Sequence, residues 1–207
     1  HTDYKKYIIA HELGHYILSN KRGGIPSFNY YYTPTQPSYF CGQDEMDGLH
    51  GITTEEYQSA ALNEGWAHYY SAAIWNYESL NDDCKFKYYK RTDHDADGSA
   101  TSNPLLNCEY GNYPAQWEWF NNYCNTYSIE GNEAGCANEW DWLAALWDLG
   151  TNYASIDFND VLNTVAGISG SWSGSETTLY SRARTSANTQ GILSQFDYCT
   201  EANGVDR

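Results

Sequence analysis

Five residues near the start of the chain, His11-Glu12-Leu13-Gly14-His15, have types and a spacing that can do chemistry. Histidines four apart lie on one face of a helix, so both imidazoles can aim at a single point. Neutral imidazole nitrogens bind zinc at about 2.0–2.1 Å. Glu12 falls one residue round the helix, at the edge of that point, where a carboxylate can hold a water and take its proton. A metal there lowers the pKa of water from about 15.7 towards about 7, so the three residues together suit metal-assisted hydrolysis at neutral pH. Two histidines do not complete a catalytic zinc site, which takes three protein ligands and one open position. One continuation puts glycine three residues and a third histidine six residues after the second histidine. Leu18 and Lys21 stand there and exclude it. None of the cysteines is suggestively placed for the metal. The best remaining source of a third ligand is Asn63-Glu64-Gly65-Trp66-Ala67-His68.

Two helices must carry these groups. The first is predicted over residues 1–19 (active-site part about 3–19), with Thr2 or Asp3 as cap and a stop from Asn20 to Gly24. Thr53 and Glu56 form a capping-box pattern that opens the second, over about 54–76. Residues 25–52, rich in Tyr and containing Pro and Gly, read as a long loop. The C-terminal part, about 114–199, reads as helical. Pro114 sits in the first turn of one helix to about Tyr123. Asn138 to Leu149 is a buried helix closed by Gly150, and Asp157 caps a short helix to Ala166 with Gly167 past its end. Ser175 is the expected cap of the next helix, and Ile192 to Tyr198 the last. The Ser/Gly run at 169–175 is too short to separate domains, so residues 1–207 are read as a single domain of mainly α class.

His-Glu-Leu-Gly-His followed by Asn-Glu-Gly-aromatic-Ala on a second helix resembles the gluzincin zinc metallopeptidases, which include the thermolysin-like and fungalysin groups. The resemblance implies a zincin-like helical catalytic lobe acting on a peptide or protein substrate. It implies zinc held by His11, His15 and Glu64, with Glu12 as the catalytic base and Asn63 beside the ligands. Thermolysin-like members carry an acidic residue four positions after the ligand glutamate; here His68 stands there. His68 shares a helix face with Glu64, and three roles are open to it: a partner of a ligand, a substitute ligand, or a core histidine. Family members also use a downstream Tyr or His to stabilise an oxyanion, and His94 is the one histidine after His68. The Trp- and Leu-rich run Trp142 to Leu149 resembles the helix behind the fungalysin active site and is read as core. The spacing of 48 residues between His15 and Glu64 is long for the family. Only ten residues precede His11, so most of the usual upstream β lobe is expected to be missing, removed, or supplied as a separate partner. His1 reads as a processed end.

Composition narrows the rest. The chain has 207 residues and 27 Asp+Glu against 11 Lys+Arg, a net charge of -16. That repels phosphate backbones and anionic lipid, so nucleic acid is not an expected partner. No apolar run approaches the roughly 20 residues of a membrane span. Six widely spaced cysteines read as three disulfides stapling long loops, with Cys124–Cys136 the local guess, and as a secreted, extracellular protein. Asp93, Asp95 and Asp97, followed by Gly98, repeat the first half of a calcium loop. Pro104 stands where an EF-hand needs its glutamate, leaving a shorter calcium loop or a solvated acidic loop. The 20 Tyr and 8 Trp are scattered and read as packing. Beside the peptidase reading stands a second one, an extracellular structural or binding protein, including a self-assembling one, that keeps a peptidase fold without turnover.

Overall fold

The computed structural model describes residues 2–24, 58–75, 139–172 and 178–205. Within them lie six helices and no strand: α1 Thr2–Arg22, α2 Gln58–Trp75, α3 Glu139–Thr151, α4 Phe158–Ala166, α5 Leu179–Thr189 and α6 Leu193–Ala202. The mainly α expectation holds for these residues. The capping box at 53–56, the 25–52 loop, the helix at Pro114, Cys124–Cys136, His94 and the acidic loop at Asp93, Asp95 and Asp97 lie outside them.

α2 is the centre of the described helices. From Gln58 to Tyr69 every residue is buried, the signature of a helix enclosed on all sides rather than laid on a surface. α1 packs on one flank of it and α3 on another. Small residues make the approach close. A Cβ built on Gly14 of α1 would stand 3.0 Å from the Ala67 Cα and 3.0 Å from the Tyr70 Cβ. One built on Gly65 of α2 would stand 2.5 Å from the Trp142 Cβ and 2.8 Å from the Glu139 carbonyl oxygen of α3. The Trp66 indole N–H donates to the Gly14 carbonyl at 2.8 Å, tying α2 to α1 with a polar contact inside the apolar seam. Around this pair Leu18, Leu62, Trp66, Trp142, Leu143, Leu146, Trp172 and Phe196 form one core. The Trp142–Leu149 stripe is core, as read from the sequence.

α1 runs three residues beyond the expected stop. Arg22 donates to the carbonyls of Ala166, Ile168 and Gly170 and lies over the Trp172 ring at 4.2 Å, so tertiary contacts hold the last turn against α4. Gly23, at φ +81°, then ends the helix, and the Gly24 N–H reaches back to the Ser19 carbonyl, a left-handed helix end that favours glycine. Gly150 does not close α3 but lies one residue inside its end, at Thr151, where a Cβ would meet the Tyr69 hydroxyl at 2.7 Å. α4 is capped as expected: Asp157 accepts from the Asp160 N–H while the Asp160 carboxylate accepts from the Asp157 N–H. α5 opens after Thr178 rather than at Ser175. Cys199 is a free buried thiol, so the expectation of three disulfides does not hold at this residue. Desolvation and the Asp148 carboxylate push its pKa up to about 12. No described helix is long and apolar enough to cross a membrane.

Candidate metal centre

The crossing of α1 and α2 sets the site. Gly14 lets the two helices touch, and the residues flanking it on the same face of α1 are His11 and His15. Glu64, one turn before Ala67 on α2, is carried to the point that both imidazoles face. His11 Nε2 lies 3.0 Å and His15 Nε2 3.1 Å from the same oxygen, Glu64 Oε2. The two rings meet edge to face with centroids 4.8 Å apart. The Glu64 side chain is 3% exposed, His11 12% and His15 23%, so the cluster is closed on the core side and open past His15.

The donor set fits a metal ion. Two imidazole nitrogens and one carboxylate oxygen lie within 4.8 Å of one another. A tetrahedral zinc with ligands at about 2.0–2.1 Å separates those ligands by about 3.3 Å, close to the 3.0 and 3.1 Å between each histidine Nε2 and Glu64 Oε2. A buried carboxylate facing two imidazoles is also the mixed nitrogen–oxygen set that zinc accepts.

The electrostatics agree. Burial pushes the His15 pKa down, but the Glu64 hydrogen bond and charge, with the Glu12 charge and the Asn63 amide, outweigh it, and the net shift is upward. The proton is drawn to the place where a cation is favoured. Asn63 Nδ2 donates to His15 Nδ1 at 3.0 Å and to Glu64 Oε1 at 3.4 Å. A turned amide would instead offer its oxygen to a protonated Nδ1, the tautomer a metal-binding Nε2 requires. Glu12 is exposed, one residue from the ligand face and close enough for its charge to act on His15.

His68 does not join the ligand set among the described residues. Its Nε2 donates to Glu139 Oε2 of α3 at 2.8 Å, and its ring lies 4.5 Å from that of His11. Desolvation lowers its pKa, against the raising effect of Glu139, so the ring is neutral at pH 7. Of the three roles open to it, the geometry brings His68 behind a ligand. Glu139 itself was not singled out by the sequence reading. Its signal was present: with Trp142, Leu143 and Leu146 it lies on the buried stripe of α3, and an acid on such a stripe needs a partner.

A separate cavity of about 470 Å³ opens along the C-terminal half of α2, lined by Tyr69, Tyr70, Trp147, Tyr153 and Phe158 among others. It contains none of the ligand residues. No family model, curated protein or solved structure matches the chain.

Proposed function

We propose that this chain is a zinc-dependent peptidase of gluzincin type, with zinc on His11, His15 and Glu64. The observation that carries the reading is the convergence of both histidine Nε2 atoms on one buried carboxylate oxygen from a second helix. Zinc held there supplies a Lewis acid for the scissile carbonyl and lowers the pKa of water towards about 7. Glu12, exposed beside the ligands, takes the proton of the attacking water and passes it to the leaving amine. Glu64 contributes negative charge and His11 and His15 contribute neutral donors, so the set carries one charge against the ion's two and leaves it electrophilic. Asn63 orients the His15 ring. The setting we propose is extracellular, on the five cysteines besides Cys199 and the acidic composition, and a calcium loop at Asp93, Asp95 and Asp97 belongs to the same proposal.

A second reading has one observation in its favour. Ile9, Leu13 and Tyr16 form an exposed apolar stripe on α1 alongside Glu12, where a solvated helix face would be polar. A binding or structural protein that covers this stripe could keep the metal without turnover. Metal content and hydrolysis of a mixed peptide library separate the two. The peptidase reading expects one zinc per chain, turnover by the wild type, and a Glu12→Gln variant that keeps zinc and loses turnover. Turnover retained in that variant removes Glu12 from its role, and zinc without any turnover favours the second reading.

A further inference from the structure

We propose that Glu139 is a positioning residue of the metal centre, acting on His11 through His68. The inference rests on the metal reading above and adds a helix to it.

Three imidazoles stand in a row. His15 meets His11 edge to face at 4.8 Å, and His11 meets His68 at 4.5 Å with the rings tilted by 55°. Two buried carboxylates hold the row: Glu64 meets both His11 and His15, and Glu139 meets His68 at its end. The His68–Glu139 pair is 8% and 2% exposed. A buried ionisable pair of this kind is costly to desolvate, and an apolar pair of similar volume often packs as well or better. A purely packing role therefore does not require these residue types, whereas a role behind a ligand does.

The hydrogen bond supplies that role. With its N–H on Nε2 donating to Glu139, the His68 ring is fixed in direction and in tautomer. That fixed ring packs against the His11 ring, with centroids 4.5 Å apart and the planes tilted by 55°. Imidazole ligands bind well only when their rotation is restrained, and groups that orient ligands change metal affinity by about 10–100-fold. His15 receives this restraint from Asn63 at Nδ1. His11 receives it from the His68 ring, anchored on α3. The Glu139 carboxylate also places a negative charge two groups from the cation, which the low dielectric of the core makes effective. α3 thus becomes part of the metal centre without contributing a ligand.

The test uses the full chain with zinc and cobalt(II) as probes. Zinc affinity is measured by competition with a chromogenic chelator, geometry by the visible spectrum of the cobalt form, and fold by thermal melting of the metal-free protein. Glu139→Gln keeps shape and an acceptor while removing the charge; His68→Phe keeps a ring and removes the hydrogen bond. Each is expected to weaken zinc binding about 10–100-fold and to alter the cobalt spectrum. The double variant should fall well short of the product of the two single losses, because both act mainly along one path. Should Glu139→Gln fail to fold, Glu139→Asp replaces it, with weakened binding and an altered spectrum again expected. Wild-type zinc affinity and an unchanged cobalt spectrum in the Glu139 variant overturn the inference and leave the metal reading standing. A wild type that takes up neither metal overturns both.

Discussion

Replacing Gly65 by alanine adds one methyl group at the place where α2 and α3 come closest. In a helix interior that exchange ordinarily stabilises by about 1 kcal/mol. Here the new Cβ would lie 2.5 Å from the Trp142 Cβ, 2.8 Å from the Glu139 carbonyl oxygen and 3.2 Å from the Leu143 N. None of these atoms is the free end of a flexible chain. Two are helix backbone, and the third is bonded to it, so relief requires moving α3 as a body. Overpacking of a tight core costs about 1–3 kcal/mol and occasionally more. A contact this close with atoms that cannot yield singly belongs at the upper end of that range, about 3 kcal/mol, and subtracting the propensity gain leaves an expected net loss of about 2 kcal/mol. Glu64 is the residue before Gly65 and Glu139 is one of the atoms pushed, so zinc affinity should fall together with stability. Chemical denaturation of the metal-free protein gives the first quantity, and chelator competition the second. Gly150→Ala is the matched control: its new Cβ meets the Tyr69 hydroxyl, the end of a side chain that can shift, and stability should stay within about 1 kcal/mol of wild type. A Gly65→Ala protein as stable as wild type would refute the close-approach argument.

Arg22→Ala removes donors to the Ile168, Ala166 and Gly170 carbonyls and the stack on Trp172, and should cost about 2–3 kcal/mol in denaturant unfolding; a loss below about 0.5 kcal/mol would mean the last turn of α1 is held otherwise. Because the His15 pKa is raised, its contact with Glu64 stabilises the metal-free protein below the unfolded value near pH 6.5 and is lost as pH rises through the higher folded value. Zinc affinity should run the other way, rising by up to about tenfold per pH unit below that folded value as the competing proton leaves, and a flat profile over this range would contradict it. With its pKa pushed up to about 12, the Cys199 thiol should resist alkylation in the folded protein at about pH 8 and react on unfolding, as peptide mapping by mass spectrometry would show; ready labelling of the folded chain would place it at the surface.

Part of this architecture was legible because its causes are local. The four-residue spacing of His11 and His15 puts them on one face of any helix that forms there. The Asp157 cap, the end of α4 at Ala166 and the apolar stripe from Trp142 to Leu149 also rest on interactions within a turn or two, and these matched. Glu64 was reached through a resemblance between motifs rather than through the physics of the chain. The misses share one cause. Arg22 extends α1 because it finds carbonyls more than 140 residues away. The glycine at 150, inside the end of α3, faces the Tyr69 hydroxyl of α2, 81 residues earlier. The partner of His68 was out of reach of the sequence for the same reason, since Glu139 stands 71 residues later.

The sequence by itself determined which residues share a helix face and where several helices begin and end, since hydrogen bonds and side-chain neighbours within four residues carry that information. Tertiary structure alone decided that both imidazoles meet Glu64 at one oxygen, that the His68 ring packs against His11, and that His68 finds its carboxylate partner in Glu139. Those outcomes depend on how closely α1, α2 and α3 approach. That distance is set by glycine and alanine at the crossings, and no one helix encodes it.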